Sequence, residues 1–308
     1  MVTLCALLSC SNEKELLVIS ITSPLENSNF EHFSVVPIEY ESNSSFSIDY
    51  YIDDYLIYSS STPFSVYKWL TTNFSAGKHT IKIIVREEDG RMASDQIDIN
   101  VIPSTKFSTG SLIDIEGNIY NTIKIGEQWW MAENLRTTKY NDGSPIYSET
   151  NNLLWSVLEK GAFCWYDNDY EANVKQYGAL YNWYAVVTDK LCPTGWHVPS
   201  EGEVNRLILY LGSVDVIGNK LKAPCIWEWN NTNGNGSNES GFSALPGGLR
   251  FDYEDGFVGK IVNATWWIYK NGNPYESFPT FGVEGESQKL IRYPYSSGTG
   301  CSVRCVKY

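Results

Sequence analysis

The chain has 308 residues, of which 43% are hydrophobic, a length and composition that fit two globular domains. Its 36 acidic and 23 basic residues give a formal net charge of −13. That charge opposes binding to nucleic acids and to anionic lipid headgroups, and leaves neutral ligands such as sugars open.

The amino terminus, residues 1–10, reads MVTLCALLSC. Its end, Leu-Leu-Ser-Cys, resembles the lipobox of bacterial lipoprotein signal peptides, which implies that Cys10 is acylated. Residues 11–16 then form a short polar tether. The resemblance implies a lipid anchor in the outer membrane, exposed on the cell surface, as the only contact with a bilayer. The alternative is a chance apolar terminus with a free thiol.

Residues 17–103 alternate between apolar and polar positions, which predicts an all-β sandwich. The expected strands carry three apolar sets on single faces: Ile48, Tyr50 and Ile52; Ile81, Ile83 and Val85; Ile97, Ile99 and Val101. The motifs at 49–54, 62–65, 76–81 and 88–90, with Trp69, resemble those of bacterial immunoglobulin-like modules. The resemblance implies a spacer beside a binding partner domain.

Residues 104–110 read as a polar linker, and residues 111–308 as an α+β domain. A capping box at Ser200 and Glu203 predicts a helix ending near Gly212. A second apolar stripe, from Leu180 to Val187, predicts another helix. The remainder is predicted as irregular antiparallel sheet.

The second module carries motifs at 114–120 (DIEGNIY), 125–135 (IGEQWWMAENL), 177–186 (YGALYNWYAV), 192–200 (CPTGWHVPS) and 238–248 (NESGFSALPGG). In this order they resemble the Fibrobacter succinogenes major paralogous domain. The resemblance implies the C-type-lectin-like fold shared with formylglycine-generating enzymes, and it implies no defined activity.

The same resemblance implies a disulfide between Cys192 and Cys305, in a compartment that permits disulfides. A second bridge between Cys225 and Cys301 is an open alternative, and the partner of Cys164 is undetermined. Cys301 and Cys305 also resemble the late copper-binding pair of formylglycine-generating enzymes, spaced one residue closer. In a straight strand their positions would be about 13 Å apart, too far for one metal ion.

The candidate ligand-binding residues lie in the loop-rich half after Gly212. They are aromatic side chains suited to stacking on sugars and oxygen-bearing side chains suited to a sugar or calcium ion: Trp227, Trp229, Trp266, Trp267, Tyr269, Asn233, Asn235 and Glu239. No catalytic set is predicted, since only His197 of the three histidines lies in this module and no carboxylate pair is identified by its spacing.

We therefore expect a surface lipoprotein that acts in adhesion or binds a glycan, a cell-surface protein or another ligand, with no catalysis, no nucleic-acid partner and no required cofactor. The first alternative is an oxidase or another enzyme on the same scaffold. The second is a protein-binding subunit of a surface assembly.

Overall fold

The computed structural model describes residues 16–62, 64, 66–224, 236–253, 256–270 and 277–307. Across these residues, none of the helices has both the length and the apolar character needed to cross a membrane. Residues 1–15, which include Cys10, lie outside the described part of the chain.

The first module is a sandwich of two sheets. Its strands are β1 (Ile19–Ser23), β2 (Asn29–Glu31), β3 (Val35–Ser42), β4 (Ser47–Ile52), β5 (Tyr55–Ser60), β6 (Val66–Leu70), β7 (Gly77–Arg86) and β8 (Met92–Ile102). One sheet has the order β1-β3-β6, and the other has the order β2-β8-β7-β4-β5.

The alternating pattern explains why these strands pair face to face. Ile48, Tyr50 and Ile52 on β4, and the matching apolar set on β7, are fully buried between the two sheets. In a strand, every second side chain points to the same face, so each set fills one layer of the core. The predicted sandwich is confirmed, with the predicted residues inside it.

The second module is mostly sheet. Its strands are β9 (Thr109–Ile113), β10 (Ile119–Ile125), β11 (Gln128–Met131), β12 (Tyr147–Ser148), β13 (Ala162–Cys164), β14 (Leu180–Tyr181), β15 (Gly247–Arg250), β16 (Phe257–Lys260), β17 (Asn263–Trp267), β18 (Phe278–Glu284), β19 (Leu290–Ile291), β20 (Pro294–Tyr295) and β21 (Val306–Lys307). Among the described residues, they form sheets ordered β21-β11-β10-β9, β12-β13-β14 and β16-β15-β17-β18-β19, with β20 paired to β18.

In the described part of the chain, the α-helices that pack on these sheets are α1 (Asn152–Ser156), α2 (Tyr170–Asn173), α3 (Trp183–Val186), α4 (Glu201–Leu211) and α5 (Ile217–Leu221). The predicted capping box is present at the start of α4, where Glu203 accepts from the backbone N–H of Ser200 at 2.8 Å. The apolar stripe of α4 is buried, as its spacing predicted.

The predicted helix over Leu180–Val187 is wrong in its extent. Leu180 and Tyr181 form strand β14, and α3 begins only after Asn182, whose side chain accepts from the backbone N–H of Ala185. The apolar spacing does not require a continuous helix. Leu180 and Trp183 are buried in different core clusters, and Val187 is 37% exposed.

The two modules share a packed boundary, and the predicted linker is shorter than expected. Strand β9 begins at Thr109 and pairs with β10, inside the predicted range 104–110. Phe33 of the first module packs into a hydrophobic core of the second, with its ring centroid 5.4 Å from that of Phe107. The Thr72 and Ser243 hydroxyls are hydrogen-bonded across the boundary at 2.9 Å. The immunoglobulin-like module therefore docks firmly on its neighbour.

Candidate ligand-binding site

The predicted aromatic site at Trp266 and Trp267 is wrong, because both side chains have 0% of their surface exposed. They are consecutive on β17, which lies between β15 and β18 in its sheet, so they point to opposite faces. Both faces are covered by core. Trp266 stacks on Phe281 at 5.2 Å, and Trp267 packs against Trp183 at 5.4 Å.

The indole N–H groups of these two residues are also used inside the protein. Trp266 Nε1 donates to Asn134 Oδ1 at 2.8 Å, and Trp267 Nε1 donates to the Tyr181 carbonyl at 2.7 Å. A buried indole N–H without an acceptor would destabilise the fold, so these two hydrogen bonds stabilise the core. Both residues are structural.

The other predicted ligand residues are separated by the structure. Tyr269 is half-buried, with its ring centroid 6.4 Å from that of Trp183, and Glu239 is exposed, with Oε2 3.6 Å from Lys220 Nζ. The rest of the set, Trp227, Trp229, Asn233 and Asn235, lies outside the described residues. Within the described residues, no group of three or more His, Cys, Asp or Glu side chains could hold a metal ion.

The predicted disulfide between Cys192 and Cys305 is confirmed. Cys301 instead has a free, fully buried thiol, so the alternative bridge to Cys225 is not formed, and Cys225 itself lies outside the described residues. Cys164 is likewise free and buried, and burial raises the pKa of its thiol to about 12. Neither free thiol has the exposed, easily ionised character of a reactive cysteine.

His197 is held as a structural side chain, with Nε2 2.8 Å from Glu203 Oε1. Burial alone would raise the pKa of Glu203, but hydrogen bonds from His197 and Ser200 outweigh burial and lower it. In the first module, His79 lies between a carboxylate and a turn carbonyl, 2.5 Å from Asp53 Oδ2 and 2.7 Å from the Ser75 oxygen. Both ring nitrogens of His79 are thus hydrogen-bonded within the first module.

An exposed aromatic surface does exist, at a place where no site was predicted. We call it the tyrosine strip, and it consists of Phe251, Tyr253, Tyr293 and Tyr295. Phe251 and Tyr253 are stacked at 4.6 Å, Phe251 is 6.0 Å from Tyr295, and Tyr295 is 6.3 Å from Tyr293. Tyr253 is 49% exposed and Tyr293 is 48% exposed.

Backbone pairing fixes the two halves of the tyrosine strip. Arg250 pairs with Gly300 through two backbone hydrogen bonds, of 2.9 and 2.7 Å, which places the following residues beside the Tyr293–Tyr295 segment. Strand β20 pairs with β18, with Tyr295 opposite Phe278. Burial raises the pKa of Tyr295 to about 12, so its hydroxyl stays protonated at neutral pH.

A polar pair joins the two segments that carry the tyrosine strip. Asp252 Oδ2 accepts a hydrogen bond from Ser296 Oγ at 2.6 Å, and each of these residues is the sequence neighbour of a ring in the strip. Aromatic faces bind the C–H faces of sugars, and carboxylates and hydroxyls accept from or donate to sugar hydroxyls. The strip therefore supplies the aromatic faces that a sugar site needs. The sequence signal was the spacing of two residues in Phe251/Tyr253 and in Tyr293/Tyr295, which puts each pair on one side of an extended chain.

The structure thus consists of a β-sandwich followed by a β-rich α+β domain, which the Cys192–Cys305 disulfide cross-links. The chain belongs to the Fibrobacter succinogenes major domain family, which matches residues 123–307 of its 308 residues. The bacterial Ig domain matches residues 18–83.

Among solved structures, the fibronectin(III)-like modules of CbhA from Clostridium thermocellum are similar to 27% of this chain and 94% of their own, at 23% sequence identity and a TM-score of 0.25. No curated protein gives a significant match.

Proposed function

We propose that this protein is a surface-exposed lipoprotein that binds glycans without catalysis, and that its family domain is a C-type-lectin-like scaffold. The tyrosine strip is the observation that carries the proposal. Its four rings form a continuous aromatic surface, two of them about half exposed, and a hydrogen bond between Asp252 and Ser296 joins the two segments that carry the rings. The immunoglobulin-like module would hold this surface away from the membrane.

The oxidase alternative is disfavoured by the state of the two late cysteines. Copper(I) binding by Cys301 and Cys305 needs two accessible thiolates. Cys305 is bonded to Cys192, and burial raises the pKa of the Cys301 thiol well above its ordinary value. The pair therefore has no thiolate to offer.

A glycan array probed with the full chain tests the proposal. We expect binding to neutral glycans, and we expect Tyr253→Ala or Tyr293→Ala to weaken it about tenfold, or about 1.4 kcal/mol, because each removes one stacking face. The matched control is Tyr210→Ala, which removes a 65% exposed tyrosine from helix α4. An array without hits, or a hit that both strip variants retain, would contradict the proposal.

The anchor is tested separately in cells. We expect Cys10→Ala to move the protein from the membrane fraction to the soluble fraction, because the acyl chains that hold it would no longer be attached. Cys5→Ala is the matched control and should stay with the membrane. Protease treatment of intact cells should degrade the wild-type protein. Retention of the Cys10→Ala protein in the membrane fraction would show that Cys10 is not the anchor.

A further inference from the structure

A cleft of about 290 Å³ lies at the boundary between the two modules. It lies where helix α2 of the second module contacts strand β5 of the first, and its walls include Tyr55, Asn118, Arg136, Tyr170 and Lys175. Ligand sites occur preferentially at domain boundaries, in cavities of about 300–1,000 Å³. This cleft is at the lower end of that range, so it suits a single small molecule.

The charge of the cleft is opposite to that of the whole protein. The residues that line it include two cations, Arg136 and Lys175, and no carboxylate, although the chain has a net charge of −13. Arg136 is already neutralised, since one guanidinium nitrogen is 3.0 Å from Glu133 Oε2 and another donates to the Ile119 carbonyl. Lys175 therefore supplies the positive charge that remains.

Lys175 is held on aromatic rings. Its Nζ lies 4.7 Å from the ring centre of Phe74 and 5.6 Å from that of Tyr55, and no salt bridge joins it to a carboxylate within the described part of the chain. Burial lowers its pKa, and the positive charge of Arg136 lowers it further, against the opposing fields of Glu133 and Asp53. Those two carboxylates are already paired with Arg136 and His79. An anion in the cleft would replace the solvation that Lys175 has lost.

The residues that line the cleft indicate which class of molecule would carry the anionic group. Tyr55 is 45% exposed and Tyr170 is 49% exposed, so two aromatic faces are available next to one unneutralised cation. One cation matches a monoanion, and aromatic faces match the C–H face of a sugar ring. We propose that this cleft binds a single acidic sugar, with Lys175 on its carboxylate and Tyr55 or Tyr170 against its ring. The site is separate from the tyrosine strip and does not depend on glycan binding there.

Isothermal titration calorimetry of the full chain with glucuronate, glucose and inorganic sulfate tests this proposal. We expect saturable binding of glucuronate, and at least tenfold weaker binding of glucose, which lacks the charge, and of sulfate, which lacks the ring. Lys175→Met should weaken glucuronate binding at least tenfold, because it removes the charge and keeps the length of the side chain. Lys175→Arg should retain binding.

The matched control is Lys289→Met, which removes a 66% exposed lysine paired with Asp215. Circular dichroism and thermal unfolding of each variant verify that the fold is intact. Tyr170→Ala provides a second variant, and the same check applies to it because the Tyr170 ring packs edge-on against Trp165 at 5.1 Å. The proposal is overturned if glucuronate does not bind, if it binds no tighter than sulfate, or if both Lys175→Met and Tyr170→Ala bind it like the wild type.

Discussion

The Trp267→Ala variant is expected to lose about 3–5 kcal/mol of unfolding free energy, the range measured for truncating a buried tryptophan. The indole is fully buried, packs against Trp183, and donates to the Tyr181 carbonyl at 2.7 Å. Truncation would leave both a large cavity and a buried carbonyl without its donor. Urea denaturation followed by fluorescence and circular dichroism measures the change.

The matched control for this prediction is Tyr253→Ala, which truncates an aromatic residue that is about half exposed. We expect its unfolding free energy to change by no more than about 0.5 kcal/mol, as is usual for surface substitutions. The two variants thus separate structure from binding: Trp267→Ala destabilises the domain, and Tyr253→Ala affects only the strip. A Trp267→Ala protein as stable as wild type would contradict the core assignment.

The second large effect is expected from removing the disulfide. The Cys192→Ala/Cys305→Ala variant should lose about 4–5 kcal/mol, because the bridge joins residues 113 apart and restricts the unfolded chain accordingly. Alanine is chosen because both positions are buried, and a serine hydroxyl there would add its own cost. Denaturant titrations without reductant compare the variant with the wild-type protein.

Cys164→Ala serves as the control, since it removes a buried sulfur that is in no bridge. Its effect should be limited to a small cavity, about 1 kcal/mol. If the double variant and Cys164→Ala unfold at the same denaturant concentration, the bridge does not stabilise the folded domain.

Several elements were predictable because one local rule decides each of them. The strands of the first module follow from alternation, since Ile81, Ile83 and Val85 can share a face only in an extended chain. Helix α4 follows from its capping box together with its apolar stripe. The Cys192–Cys305 bridge followed from the family resemblance and not from the spacing of seven cysteines.

Other features depend on contacts that no local pattern records. Two consecutive tryptophans on β17 are compatible with an exposed platform or with a strand buried on both faces, and only the sheet order distinguishes them. The burial of Arg304 was not predictable from a local sequence pattern either. Arg304 is 2% exposed, and its Nε donates to Asn134 Oδ1 at 2.8 Å while its guanidinium lies over Phe242.

The two candidate sites also depend on tertiary contacts that local sequence patterns do not reveal. The tyrosine strip joins segments about 40 residues apart, and its alternation is visible in the sequence only once the two segments are known to be neighbours. The cleft joins Tyr55 to Lys175, which belong to different modules. A site built across such a boundary cannot be found from either module alone.

The insertion of Phe33 into the core of the second module has a consequence for how the two modules move relative to each other. A flexible hinge would let the second module adopt many orientations relative to the first. The Phe33 ring, which is inserted across the boundary, restricts that motion. The orientation of the immunoglobulin-like module thus dictates the orientation of the tyrosine strip. A force applied to one module would be transmitted to the other through packed side chains. We therefore expect the two modules to move together as one rigid body.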